Sequence, residues 1–214
     1  MIKVNKSANA PTSLSKTSSY DGEDVKQQLL ADQYCKCYIC ERTCVTDFEI
    51  EHLKSRKHFP EQIQEWNNLL LSCSYCNKKK GDAFDQILNP LCANIEEEIR
   101  QYIDYDNNRA VFESFINDEQ HQKTIELLDS IYNSSGKRKI RTIKEEQFFN
   151  YVLGVMNRFQ VLVLQFLESP TEDNANVIKS ELTIDRELLG FKYWLIKDQP
   201  QLRETFEPFV VWNR

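Results

Sequence analysis

Two cysteine pairs of the form Cys-x2-Cys constrain most strongly what this chain can fold into. They are Cys37 with Cys40 and Cys73 with Cys76, and thirty-two residues separate them. Each pair can turn both thiolates toward one point, and two such pairs complete a tetrahedral shell for Zn²⁺. The spacing therefore predicts a structural zinc site that leaves no position open for a substrate. A domain of roughly fifty residues needs this binding energy because its apolar core is small.

Three further cysteines, Cys35, Cys44 and Cys92, have no partner at this spacing. Cys35 or Cys44 could still compete for a ligand position in the first pair, because Cys40-x3-Cys44 is also a feasible spacing. Seven cysteines are an odd number, which favours metal ligands and free thiols over a disulfide framework. The polar N-terminal residues have no apolar segment typical of a signal peptide, so we expect a cytoplasmic protein with reduced cysteines.

The charge is distributed unevenly along the chain. A net charge of −6 argues against nucleic-acid binding by the surface as a whole. Residues 35–82, however, carry eight Lys/Arg against seven Asp/Glu, whereas the rest of the chain carries nineteen against twenty-six. A later basic run at a predicted helix start is either a phosphate contact or, more typically, a solvated helix face: Lys137, Arg138, Lys139 and Arg141.

Three regions differ in texture. Residues 1–20 are polar and rich in Ser, so we predict a flexible or loosely docked arm. Residues 21–92 begin with a short helical segment and hold the cysteine pairs and two of the three histidines, and residues 93–214 show mostly helical periodicity. No run of about 18 apolar residues exists, so no membrane span is expected. The predicted fold class is α+β and mostly α, with a small zinc-stabilised core followed by a helical C-terminal region.

The helical prediction for the C-terminal region starts with Ile95, Ile99, Tyr102 and Ile103, which recur at spacings of three and four. The longest periodic stretch runs from about residue 140 to residue 168. Two shorter helices are predicted around residues 171–180 and 185–197. A packed core is sufficient to explain these apolar stripes, so they indicate no further activity.

A second constellation lies between the cysteine pairs. Phe48 and Ile50 alternate with Glu49 and Glu51, which is typical of a strand that ends at His52. Asn68 follows sixteen residues later, and Asn77 comes directly after the second cysteine pair. Each of these residues alone is commonplace, but their order is informative.

This order, over about residues 37–82, resembles the HNH nuclease family, whose ββα-metal fold places two strands and a helix around one divalent ion. The third family position, often His, is Asn77 here. The resemblance implies that His52 deprotonates the attacking water, that Glu51 and Asn77 bind the catalytic ion, and that Asn68 braces the loop that orients His52. His58, six residues further on, is expected to lie in a loop and not at the ion.

The chemistry of the residues agrees with these roles. A neutral imidazole with a pKa of about 6.5 suits a general base near neutral pH. A carboxylate and an amide oxygen favour Mg²⁺ or Mn²⁺, and two protein ligands leave room for phosphate oxygens. The substrate is expected to be nucleic acid, with DNA preferred. Four basic residues beside the site are predicted to hold the phosphate backbone: Lys54, Arg56, Lys78 and Lys80. For the lysines that follow Asn77, a solvated helix end is an equal alternative.

The wider chain resembles the HNH subunit of Septu-type anti-phage systems, including those associated with retrons. The compact core on the N-terminal side, the segment Ile87-Leu88-Asn89-Pro90-Leu91 and the helical second half carry this resemblance. It implies an ATPase subunit as partner, docked on the region beyond residue 93. A restriction-type or homing-type HNH nuclease is an alternative, as is an inactive zinc-binding adaptor for nucleic acid or protein.

Overall fold

The computed structural model describes residues 1–16, 19–44, 46–134 and 140–212. It separates into two compact units that differ from the predicted regions. The first unit comprises Met1–Ile99 and Ser114–Leu128, and the second comprises Arg100–Glu113 and Asp129–Arg214. The basic run at residues 137–139 lies outside the described residues.

The centre of the first unit is a ββα arrangement. Strand β1 (Phe48–His52) pairs antiparallel with strand β2 (Leu69–Cys73), and helix α3 (Ser74–Lys80) follows β2 directly. All five residues of β2 are buried. The predicted strand that ends at His52 is confirmed. Gly81 ends α3 with a φ of 50°, a left-handed conformation that glycine adopts without steric strain.

The N-terminal segment packs against this core. It contains the short helix α1 (Ser13–Lys16) and leads into α2 (Glu23–Asp32). Met1 and Ile2 are buried, and the Trp66 indole N–H donates to the Ser7 carbonyl at 2.9 Å. The Trp66–Ser7 bond joins residues 59 positions apart, so the local polarity of the segment did not predict this packing.

Residues 99–114 are wrongly predicted as helical. Helix α4 (Ile95–Glu98) ends after four residues, and strands β3 (Ile99–Asp104) and β4 (Arg109–Ser114) form a second two-stranded sheet. Ile99 and Gln101 are buried while their neighbours are more exposed, which is the period of a strand. The turn Asp104-Tyr-Asp-Asn-Asn108 decides the structure here: Asp104 accepts from the Asn107 backbone, and Asn108 has a φ of 50°.

The remaining helices include those predicted around residues 140–168, 171–180 and 185–197, which are confirmed. They are α5 (Glu119–Tyr132), α6 (Ile143–Glu168), α7 (Glu172–Ser180), α8 (Leu189–Lys197) and α9 (Pro200–Phe206), and three short 3₁₀ turns occur at Pro60–Gln62, Trp66–Asn68 and Glu207–Phe209. Thr142 and Glu145 form a capping box that sets the start of α6. In the second unit the rings of Phe112, Tyr132 and Phe191 pack together.

The fold class is therefore α+β and mostly α, as predicted, with 48% of the described residues in helices or 3₁₀ turns. Helices in the described ranges are all too short or too polar to cross a bilayer.

Candidate active site

The four predicted zinc ligands come together. The sulfur atoms of Cys37, Cys40, Cys73 and Cys76 all lie within 4.8 Å of one another, and all four residues are buried. The Cys40 and Cys73 sulfurs are 3.9 Å apart, close to the spacing of about 3.8 Å that tetrahedral Zn–S bonds of about 2.3 Å require. The donor set is thus compatible with structural zinc.

Local backbone geometry shapes the first cysteine pair. Glu41 has a φ of 58°, and its N–H donates to the Cys37 carbonyl at 2.9 Å, so the chain turns tightly after Cys40. The competing ligands considered from the sequence, Cys35 and Cys44, are not part of the cluster among the described residues. At the second pair, the Cys73 sulfur accepts from the Cys76 N–H at 3.5 Å and caps α3.

His52 lies at the end of β1, opposite Leu69, and is 5% exposed. Its Nε2 lies 3.0 Å from the carbonyl oxygen of Ile63. Because a carbonyl can only accept, Nε2 carries the proton and Nδ1 keeps its lone pair. Burial lowers the pKa of His52 below its usual value, and the nearby positive charges of Arg56 and Lys80 act in the same direction. The imidazole is therefore held neutral with one nitrogen available as a base.

Glu51 is also buried, and its carboxylate pairs with a buried cation. The ammonium of Lys80 donates to Glu51 Oε1 at 2.9 Å and to the His52 carbonyl at 2.9 Å. Burial raises the pKa of Glu51, and the charge of Lys80 opposes this rise. Lys80 is 0% exposed, so this placement does not fit the phosphate contact predicted for it. Lys80 instead joins the end of α3 to the end of β1.

A cleft of about 530 Å³ brings the predicted catalytic residues together. Its walls include Glu51, His52 and Asn77, with Arg56 and Lys57 on the same lining. Asn77 lies on the first turns of α3, and its amide donates to the carboxylate of Glu49. Glu51 on β1 and Asn77 on α3 thus line one space together with His52. A carboxylate and an amide oxygen are donors suited to a hard divalent ion such as Mg²⁺ or Mn²⁺.

Asn68 does not line the cleft but holds the loop that follows His52. Its Oδ1 accepts from the Lys54 N–H at 2.7 Å, and its Nδ2 donates to the carbonyls of Lys54 and Gln62 at 3.0 Å each. The buried side chain thereby ties both ends of the segment between β1 and the second 3₁₀ turn. This contact pattern matches the bracing role that the sequence resemblance implies.

The other predicted basic residues are placed differently from one another. Arg56 and Lys78 are exposed, and Arg56 lines the cleft. Lys54 is half-buried, and its ammonium donates to the Asp85 carbonyl. Lys57, which the sequence analysis left out of the predicted site, lines the cleft and pairs with Asp82.

Two residues at the site were missed by sequence reasoning. The ring of Tyr20 meets the His52 imidazole edge-on with centroids 4.6 Å apart, and its hydroxyl accepts from Arg56 at 2.8 Å. The carboxylate of Asp85 accepts hydrogen bonds from the N–H and the hydroxyl of Ser55, in the loop after His52. Burial raises the pKa of Asp85, but hydrogen bonds from Ser55 and His58 outweigh this and lower it. Neither residue belongs to a spaced motif, so no sequence signal marked them.

Comparison with known proteins agrees with this geometry. The HNH endonuclease family model matches residues 35–83, which include the zinc cluster and the cleft-lining residues Glu51, His52 and Asn77. The predicted resemblance is therefore confirmed over this segment. A relative, "Septu protein PtuB" of Bacillus thuringiensis, is 32% identical over 72 residues, which are 32% of this chain and 27% of the relative. The similarity thus spans little more than a quarter of the relative's length.

Proposed function

We propose that this protein is a metal-dependent HNH endonuclease that hydrolyses phosphodiester bonds in DNA. The observation that carries the proposal is the convergence of Glu51, His52 and Asn77 on one cleft, inside the segment that matches the HNH family. An inactive adaptor would not need a neutral imidazole that is hydrogen-bonded through Nε2, keeps Nδ1 as a base and lies beside Glu51 and Asn77.

The residues divide the chemistry as follows. His52 Nδ1 takes the proton of the attacking water, while the Nε2 bond to Ile63 fixes the ring. Glu51 and Asn77 would hold a divalent ion, which when bound would supply positive charge to offset the charge that builds on the phosphoryl and leaving oxygens. Arg56 and Lys57 on the cleft wall contact the phosphate backbone without reading bases. The closed thiolate cluster holds the fold and takes no part in the reaction.

We further propose that the chain is the effector nuclease of a Septu-like anti-phage system in the cytoplasm. The match to "Septu protein PtuB" and the resemblance of the wider sequence support this role. The partner would be an ATPase subunit, and the region beyond residue 93 would provide its docking surface.

The proposal is tested by incubating the purified chain, with its partner if cleavage requires one, with plasmid DNA and with RNA. Cleavage of DNA should appear when Mg²⁺ or Mn²⁺ is added. Glu51→Gln and Asn77→Ala should each reduce it by about 10²-fold or more because the ion loses a ligand. Glu61→Gln, an exposed acid outside the cleft, is the matched control and should cut normally. A chain that binds DNA but leaves it intact under all these conditions would favour the adaptor.

A further inference from the structure

The loop formed by residues 53–59 follows His52 and supplies one wall of the cleft. Ser55, Arg56 and Lys57 line the cleft, and the last two are exposed. The loop has no helix or strand, and its internal bonds are few, such as that from the Phe59 N–H to the Ser55 carbonyl at 2.9 Å. Hydrogen bonds from outside the loop therefore contribute to its conformation. Asn68 holds its first residues through Lys54.

Asp85 holds the same loop from the other side. It lies two residues beyond the end of the segment that matches the HNH family and is 6% exposed. One carboxylate oxygen accepts from the Ser55 N–H at 2.7 Å. The other lies 2.8 Å from the Ser55 hydroxyl and 2.7 Å from His58 Nδ1. Its backbone carbonyl also accepts from the Lys54 ammonium. Bonds to an ionised carboxylate are among the stronger hydrogen bonds in proteins.

We propose that Asp85 is a positioning residue for nucleic-acid binding, which fixes the loop so that Arg56 and Lys57 face the phosphate backbone in the cleft. This role rests on the proposed nuclease function. In the described part of the chain, the side-chain hydrogen bonds of Asp85 all end on Ser55 and His58, which flank these two cations. The functional site therefore extends past the HNH segment.

Charge and geometry predict opposite effects when Asp85 is replaced. A negative charge near Arg56 and Lys57 weakens their attraction for phosphate, so its removal alone should tighten DNA binding. If Asp85 acts by holding the loop, its removal should weaken DNA binding because the two cations lose their fixed positions. The sign of the change thus distinguishes positioning from simple electrostatics.

The test uses the full chain and a short DNA duplex, with fluorescence anisotropy recorded over a range of salt concentrations and no added Mg²⁺ or Mn²⁺. Asp85→Ala should bind roughly threefold to tenfold more weakly, with a salt dependence reduced by about one for each lost phosphate contact. Asp85→Asn can still accept from the Ser55 N–H and should lose less. Glu61→Gln removes the same charge from an exposed site just after the loop and should not weaken binding.

Hydrogen exchange and zinc content accompany the binding data. Exchange should quicken in residues 54–58 of both Asp85 variants, while β2, α3 and bound zinc stay as in the unchanged protein. If Asp85→Ala loses its zinc, Asp85→Asn carries the comparison. Unchanged or tighter DNA binding by a folded Asp85 variant overturns the positioning role but leaves the proposed nuclease function standing. Failure of the unchanged protein to bind DNA contradicts the proposed function itself.

Discussion

At the scale of single residues, the state of His52 follows from its surroundings. Burial disfavours the imidazolium form, and the carbonyl of Ile63 selects the tautomer with a proton on Nε2. The ammonium of Lys80 is paired with Glu51, but its positive charge still lowers the pKa of His52. A general base in this setting stays unprotonated to a lower pH than a free histidine.

The pH dependence of cleavage should report this shift. Because the pKa of His52 is lowered from 6.5, the acid limb of kcat/KM should have its midpoint below pH 6.5, with activity present above the midpoint and lost as pH falls through it. The measurement is kcat/KM for DNA cleavage at fixed, saturating Mn²⁺ between pH 4.5 and 8. A midpoint at or above 6.5 would contradict a buried, neutral His52 as the base.

The sequence predicted the site residues where chemistry and spacing were both distinctive. His52, Glu51 and Asn77 were found because a family order marks them, and the structure brings them to one cleft. Lys80 was misjudged because three consecutive lysines look alike in a sequence. Helical geometry turns only the last of them inward, onto Glu51. Asp85 could not be predicted because its partners lie about thirty residues away.

At the scale of elements, the second cysteine pair couples the zinc cluster to the cleft. Cys73 ends β2, Cys76 lies in the first turn of α3, and Asn77 follows it. Zinc bound at this pair would therefore fix the start of α3 and with it the side chain of Asn77. A domain this small draws much of its stability from such a site, since structural zinc contributes about 10–16 kcal/mol of apparent binding free energy.

Removing one thiolate should destabilise this region selectively. Cys76→Ser should lose bound zinc. Amide protection across residues 35–83 should then be lost, because the metal no longer holds the ββα arrangement together. Elemental analysis and hydrogen exchange measure the two effects. Cys92→Ser, an exposed cysteine outside the cluster, should keep both zinc and protection. One equivalent of zinc in folded Cys76→Ser would argue against the four-thiolate site.

Elements were predictable where one period dominated. The alternation that ends at His52 gave β1, and the long apolar stripe gave α6 (Ile143–Glu168). Strands β3 and β4 were missed because Ile99, Tyr102 and Ile103 also fit a helical spacing. The polar turn at residues 104–108 overrides that spacing, since its side-chain and left-handed backbone conformations interrupt a helix.

At the scale of the whole molecule, the chain builds two compact units around very different cores. The first combines a four-cysteine cluster with a small sheet, whereas the second is held by helices and aromatic rings. The mostly helical character was predictable from composition and periodicity. The burial of Met1 and Ile2 was not predictable, because it depends on tertiary contacts that the polar local sequence does not indicate.

The most direct test of the account is His52→Ala in the full chain, measured for zinc content and for DNA cleavage in Mn²⁺ on the same samples, with the partner present if cleavage requires it. The account predicts that the variant retains the wild-type zinc content while cleavage falls by about 10²–10⁴-fold, the usual contribution of a general base. A zinc-loaded His52→Ala protein that cuts DNA at the wild-type rate would contradict it.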